Sequence, residues 1–600
     1  MICTDIVIVD SGVTPEQSTT YKIPGIGFKQ TDDKIIKAEN YNDVLGHGTA
    51  ICNVIKSHCK EVNIYMIKII EEEYASEQLL LFALQFILKN INCKIVNLSL
   101  GINALKERDK MFEVCEKLLK RGTFIVAAFG NDGTITFPAA FDNVIGVCCS
   151  NDDLENNEFE IVDNSVITIL AKGQKQRVIG RSGVACIEAG NSIACAHFSG
   201  ILFNILYENK RIVSFENLME CLREKAIKNI LLEKAEHDND RFILGKTACL
   251  FPFNKEMHSL IRFKHLLSFR IVDVYDSKYS AKIGATTNDL LKISHSDTYV
   301  IKALEQIDYD SFDMIIIGHC AEYLRVESQR KAIHSTLLNC IKMNKKIYSF
   351  DALSTYEISC NFNKNIFVPQ IKERNIQNNT LGMLYKFKEP ILGVFGTSSQ
   401  QGKFTLQLIL REKFLNDNYK VGQLGTEPSA ILYGMDECYH FGYNAQSLMR
   451  ADQAIMYING LLQNISLKNP DVIMVGSQSN ILPSEFGHIN GYAIKQIQFL
   501  LATNPDVVIF CINEFDELNV IERSIKLIEA SVDCSVIALV VFPITFNYEH
   551  GNNFKRMQMS KTQFQILKKK IEENFHKPTY LLRNKTDMDE LYNQVLQVFS

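Results

Sequence analysis

Short apolar runs recur along this chain, and between them the apolar positions fall at helical spacing. In the first third, runs at Asp5–Val9, Val62–Ile70, Lys94–Leu98, Thr123–Ala128 and Val144–Cys148 read as strands. Helical patterns lie between them, as at Glu77–Asn90 and Leu105–Arg121. Strands alternating with helices predict a parallel sheet with helices on both faces.

The pattern then changes. A charged, helical stretch spans about 208–245. A second series of strand-like runs follows: "RIVDVY" (270–275), "DMIIIGHC" (313–320) and "KIYSFDA" (346–352). A third series opens on "ILGVFG" and continues at 471–476, 506–512 and 535–542. The expected division is an α/β domain at 1–210, a helical connector at 211–247, a small Rossmann-like α/β domain at 248–388 and a second large α/β domain at 389–600. No internal repeat or low-complexity linker interrupts it.

Composition narrows the function. Among 600 residues, 46% are hydrophobic and 22% charged, with a net charge of −5, so nothing asks for nucleic acid as partner. No apolar run approaches the roughly 18 residues of a membrane span. The opening "MICTDIVIVDSG" has no basic segment followed by a long apolar one, so the expectation is a cytoplasmic protein without a signal peptide. The 17 cysteines include no C-x-x-C pair, and many sit in apolar runs such as "GVCCS". They read as reduced, buried small hydrophobes, and no metal site is expected.

Four stretches of the first block fit one chemistry. "IVIVDSG" ends a buried strand on Asp10, and "GHGTA" starts a helix at His47. "VAAFGNDG" ends a strand in a turn holding Asn131, and "GNSIACAHFSG" puts Ser192 at a helix mouth. Amide hydrolysis by serine needs a base, an acid to fix the base's tautomer, and donors for the oxyanion. Ser192, His47 and Asp10 fill the nucleophile, base and orienting roles. The Asn131 amide and the Ser192 N–H supply the donors. Strand ends and helix starts gather at one edge of such a sheet. Taken singly, each residue is equally an ordinary cap or core group; His197 reads as a helix-packing residue.

The order Asp, His, Asn, Ser, in D-S-G, G-H-G-T, G-N and G-x-S-x-A, resembles the subtilisin family of serine proteases over about residues 1–207. "VNLSLG" resembles that family's substrate-pairing strand, which makes Ser99, Leu100 and Gly101 the implied substrate-binding residues. "FPAAFDNVIGV" (137–147) resembles the stretch after its oxyanion asparagine. Asn191 and Ala196 stand where the family usually has threonine and proline. With the Asp10 strand opening the chain, the expectation is that no inhibitory pro-domain precedes it. The implied fold is a subtilisin-like doubly wound parallel sheet, and the implied chemistry needs no cofactor.

The third block carries a second motif. In "ILGVFGTSSQQGKFT" a strand runs into a glycine-bounded loop and a helix. Backbone N–H groups and the helix start would cradle phosphates, with Lys403 on their outer oxygens. The candidate nucleotide-binding residues are Gly396, Thr397, Gly402, Lys403 and Thr405, for ATP or GTP with Mg²⁺. Five residues separate Gly396 from Gly402, and Phe404 stands where a Ser/Thr usually follows the lysine. Gly476 stands where an acid should end the strand, leaving Glu427, Asp436 or Asp452 as substitutes. The spacing resembles dethiobiotin-synthetase-like P-loop proteins.

The layout from 248 onward resembles peptide-maturation proteins of ribosomal-peptide natural-product clusters. It is also similar to an uncharacterised P-loop family in which a small Rossmann-like domain precedes an NTPase domain. That implies a serine endopeptidase cutting a precursor peptide at or near its leader, alongside other maturation enzymes, with a P-loop module that gates or recruits. An idle peptide-binding scaffold, and a P-loop NTPase or ligase with a regulatory protease domain, stay open as alternatives.

Overall fold

The computed structural model describes residues 1–31, 34–70, 75–163, 167–180, 184–209, 214–231, 242–293, 296–358, 364–369, 382–441, 449–483, 487, 491–549 and 553–599. The chain divides into two compact units, 1–234 with 377–388, and 235–376 with 389–600.

The first unit is built on one ten-stranded sheet. Its spatial order is Lys228–Leu231, Phe159–Asp163, Ile169–Ala171, Ile145–Cys149, Phe124–Ala128, Ile95–Leu98, Ile6–Asp10, Ile64–Lys68, Gly25–Thr31, Lys34–Lys37. The strands from Ile169–Ala171 to Gly25–Thr31 pair in parallel. Both faces are buried: Val7 and Val9 pack into one apolar layer, Ile6 and Ile8 into the other. This is why the strands read as continuous apolar runs.

Helix Glu77–Asn90 matches the predicted range, because Ser76 caps it by accepting the Leu79 N–H at 3.1 Å. Helix Asn191–Glu208 is buried nearly all round and packs against helix His47–His58 and the strands beside it. The stretch read as a helical connector differs from that reading. Its described part forms helix Phe215–Lys225 and then an edge strand, Lys228–Leu231, paired with Glu160–Asp163. Residues 211–213 and 232–241 of it lie outside the described residues.

The second unit holds two further parallel sheets. The smaller has six strands, in the order Ile301–Ala303, Arg270–Asp276, Thr247–Phe251, Met314–Ile317, Lys346–Ser349, Ile366–Phe367. The larger has seven, in the order Glu437–Cys438, Val421–Gly425, Val472–Gly476, Ile391–Gly396, Val507–Ile512, Ser535–Val541, Thr579–Leu581. One apolar core joins them, with Leu250, Ile316 and Tyr348 packed among Leu408, Leu432 and Tyr433. The expected α/β class, with three parallel sheets, is what the chain forms. One boundary differs: 377–388, read as the end of the small α/β domain, groups with the first unit. No helix among the described residues is long and apolar enough to cross a membrane.

Candidate functional site

Asp10 is the last residue of its strand, and His47 is the first of its helix. The Asp10 carboxylate Oδ1 lies 2.8 Å from His47 Nδ1 and also accepts the Ser11 N–H at 2.7 Å. Asp10 is fully buried, whereas the His47 side chain is 35% exposed. The Asp10 charge, the largest influence, outweighs burial and raises the His47 pKa to about 9. The helix comes this close because residue 48 is glycine: a Cβ there would meet the Gly12 carbonyl at 2.3 Å.

Asp43 organises this corner, and sequence reasoning missed it. Its buried carboxylate accepts five hydrogen bonds, from Ser11 Oγ, Leu45 N–H, Gly46 N–H, Thr49 N–H and Thr49 Oγ1. It satisfies the donors that a helix start leaves open. The available signal was an aspartate just ahead of the G-H-G-T turn.

Ser192 is the second residue of its helix. Its hydroxyl donates to the Ser99 carbonyl at 2.9 Å, and the Ser99 hydroxyl donates to the Ser192 carbonyl at 3.0 Å. Ser99 thus ties the strand end to the nucleophile candidate. Gly101 lies against Thr136, where a Cβ would sit 2.5 Å from the hydroxyl oxygen, and Leu100 is half-buried. Asn131 is exposed, and its Oδ1 accepts the Asn191 N–H at 2.7 Å, which leaves Nδ2 as a donor. Asn191, where the resembling family carries threonine, braces the same loop. Its Nδ2 donates to the Phe129 and Gly130 carbonyls at 3.2 and 3.0 Å, and its Oδ1 accepts the Cys149 N–H at 2.8 Å. Gly190, at φ 112°, leaves no room for a side chain beside Asn131.

His197 behaves as a packing residue. It is buried, 2.8 Å from the His58 ring, with Gln176 on its other nitrogen. Burial lowers the pKa of His58 to about 4 and that of His197 to about 3.

In the second unit, Gly396 ends its strand, Gly402 adopts φ 74°, and Lys403 opens helix Lys403–Asn416. Lys403 Nζ donates to the Ser398 carbonyl at 2.6 Å, and burial lowers its pKa to about 8. Gln401 folds into the loop: its Oε1 accepts the Ser398 N–H at 3.0 Å, and its Nε2 donates to Thr397 Oγ1 and Asp516. Thr405 sits in the first turn of that helix and Phe404 packs on Tyr433.

Of the acids considered as substitutes, Asp452 pairs with Arg450 on the surface and Asp436 with Lys468. Glu427 is half-buried, and desolvation raises its pKa while Lys255 and Lys403 lower it. The acid that touches the loop is Asp516, which accepts from Thr397 Oγ1 and from the Asn513 N–H at 2.7 Å. It follows the buried strand Val507–Ile512, in "NEFDE", and that position was the signal for it. A lysine at a glycine-bounded loop and a helix start suit phosphate oxygens. Among the described residues no cluster of three or more His, Cys, Asp or Glu forms a metal cage.

The subtilase family profile matches residues 4–251. A profile described as the P-loop domain of DUF1611, a domain of unknown function, matches residues 380–566. The minor extracellular protease Epr of Bacillus subtilis (strain 168) is 26% identical over 174 residues, which cover 27% of this chain and 25% of that protein. The match therefore spans about a quarter of that relative's length. Among solved structures, a DUF1611 protein from Anabaena variabilis aligns with 59% of this chain and 99% of its own at 14% identity and TM-score 0.42. The epidermin leader peptide processing serine protease of Staphylococcus aureus aligns with 37% of this chain and 68% of its own, at 17% identity and TM-score 0.31.

Proposed function

We propose that this chain, built of an N-terminal subtilase domain and a C-terminal P-loop domain of the DUF1611 kind, is a serine endopeptidase acting on a precursor peptide. The observation that carries the reading is the 2.8 Å contact between Asp10 Oδ1 and Nδ1 of a partly exposed His47. A donor Nδ1–H fixes the tautomer in which Nε2 is the free base.

In this reading Ser192 Oγ attacks the scissile carbonyl carbon and its proton passes to His47 Nε2. This requires the hydroxyl to leave the Ser99 carbonyl, its present acceptor. The oxyanion that forms is held by Asn131 Nδ2 and the Ser192 N–H. His47 then protonates the leaving amine, and water releases the acyl group by the reverse proton path. The substrate backbone lies along Ser99, Leu100 and Gly101.

The substrate class, a leader-bearing precursor of a modified ribosomal peptide, follows from the pairing of a protease with a P-loop module, as does work alongside other maturation enzymes. The Gly396–Lys403 loop, with Thr397 and Thr405, would bind the phosphates of ATP or GTP with Mg²⁺. A bound nucleotide would supply binding energy or hydrolysis to a module that gates or recruits. The cysteine usage supports a reducing, cytoplasmic setting.

Turnover of a mixed peptide library tests the reading. Cleavage by the wild type, lost in Ser192→Ala, supports it. A well-folded wild type that binds peptides without cutting them makes the chain a peptide-binding scaffold instead.

A further inference from the structure

The loop that carries Asn131 is short and held from both sides. Its neck is closed by the Gly130 N–H donating to the Thr134 carbonyl at 3.2 Å. On the substrate side, Ile102 and Phe137 exchange hydrogen bonds at 2.8 and 2.9 Å, which ties the loop's exit to the residues after Gly101. On the opposite side lies a segment from about 250 positions further along the chain. The Ile135 N–H donates to the Leu384 carbonyl at 3.0 Å, and the Leu384 N–H donates to the Gly133 carbonyl at 3.3 Å. Thr134 and Leu384 form a parallel bridge.

Side chains anchor this strap. Met383 is 6% exposed and packs in the core of the first sheet, its Sδ 3.9 Å from Cys148 Sγ. The Asp132 carboxyl is held below the usual range chiefly by its hydrogen bonds from Thr134, and the Lys386 charge adds to this. Lys388 Nζ donates to the Lys106 carbonyl at 3.1 Å.

The next residues are fixed equally firmly within the second unit. Glu389 is buried and accepts the Ser466 hydroxyl at 3.0 and 3.1 Å. Pro390 restricts its own backbone. The Ile391 N–H donates to Asp506 Oδ2 at 2.6 Å, and the strand Ile391–Gly396 then runs straight into the phosphate loop. The chain passes from Leu384 to the strand Ile391–Gly396 in six residues. It joins the loop holding the oxyanion donor to the loop holding Lys403.

We propose that residues 382–388 are a positioning strap for the oxyanion loop, through which occupancy of the Gly396–Lys403 loop by a nucleoside triphosphate is read at Asn131. The proposal rests on the functional reading above for both ends and supplies the route between them. Phosphate oxygens entering the loop compete with Gln401 for the Ser398 N–H, so Gln401 must give way. Gly396 is in direct contact with Gln401, since a Cβ there would lie 2.6 Å from its Oε1, so the end of the strand responds. Packed strands pass on such a shift because they have few intermediate positions to absorb it. The protease domain, in turn, needs the strap for its geometry, so its boundary does not end with the helix after Ser192.

Hydrogen–deuterium exchange on the full chain, followed in peptides covering 130–137, tests the proposal with ATP and Mg²⁺ as the probe. Ser192 labelling by a fluorophosphonate is measured in parallel. In the wild type the nucleotide changes exchange at 130–137 several-fold and changes the labelling rate in step. Lys403→Ala loses both responses. So does a variant with a flexible Gly-Ser-Gly-Ser insertion between Lys388 and Glu389, which keeps both units and adds slack. Leu384→Pro, which removes one donor of the bridge, speeds exchange at 130–137 without nucleotide. An unchanged 130–137 peptide in nucleotide-saturated wild type overturns the proposal, and so does a slack variant that responds as the wild type does. Exchange that responds while Ser192 never labels keeps the strap and removes the protease reading.

Discussion

His47 is the residue whose chemistry is most sharply set by its surroundings. With its pKa held at about 9 by Asp10, the base is mostly protonated at neutral pH. Reaction at Ser192 should therefore rise with pH to a midpoint near 9, measured as the rate of fluorophosphonate labelling. Asp10→Asn should move that midpoint down toward the ordinary imidazole value of about 6.5 and lower the plateau by about 10⁴-fold. Stability runs the other way. The ion pair supports the folded state fully below about 6.5, where the unfolded imidazole is also charged, and this support fades as pH rises through about 9. In the proposed reading Asn131→Ala should cost about 10²–10³-fold in kcat with little change in KM, its donor serving the oxyanion. Asp43→Ala should lower stability by about 2–3 kcal/mol in denaturant unfolding, by leaving buried donors at the His47 helix start without their acceptor. Asp10, His47 and Ser192 stood out because each sits on a short, ordered motif; the structure brings Asp10 and His47 into contact, while the Ser192 hydroxyl donates to the Ser99 carbonyl. Asp43 and Asn191 were harder to see: their work is to accept and donate backbone hydrogen bonds, and no spacing rule marks such partners.

At the scale of elements, the legible parts were those whose burial is two-sided. The five strands predicted for the first sheet lie within two residues of their ranges, because parallel strands packed on both faces are continuous apolar runs, whereas Gly25–Thr31, Lys34–Lys37, Phe159–Asp163 and Ile169–Ala171, nearer its edges, were not predicted. The Lys228–Leu231 strand was not legible: "KNIL" is short and mixed, and only pairing with Glu160–Asp163 makes it a strand. The 382–388 strap was invisible for the same reason, since its partner lies far away in sequence. The helix pair His47–His58 and Asn191–Glu208 carries its own pH dependence through His58 and His197. Both are neutral when folded, with pKa values lowered to about 4 and about 3, whereas the unfolded rings take up protons below about 6.5. Stability should therefore fall as pH drops from about 6.5 toward 4, by up to about 1.4 kcal/mol per pH unit for each histidine. Thermal unfolding scans from pH 7 to 4 should show this slope, and His197→Gln should flatten it.

At the scale of the whole molecule, two candidate sites share one chain, one at Asp10, His47 and Ser192 and one at the Gly396–Lys403 loop. In the proposed reading, Lys403→Ala should abolish nucleotide binding in equilibrium dialysis while leaving the far-ultraviolet circular dichroism unchanged, because the lysine's charge would serve the ligand and its Nζ donates to a carbonyl within its own loop. Asp516, which holds Thr397 and Gln401, shows why the usual strand-end acid was not found: the acid beside this loop comes from the neighbouring strand on the other side. The central claim is that Ser192 is an activated nucleophile. Intact-mass analysis after exposure to a fluorophosphonate, with the wild type, Ser192→Ala and Asp10→Asn side by side, tests it most directly. The account predicts one adduct on the wild type, none on Ser192→Ala and greatly slowed labelling of Asp10→Asn. A well-folded wild type that stays unlabelled with and without ATP and Mg²⁺, or an adduct that persists in Ser192→Ala, would contradict it.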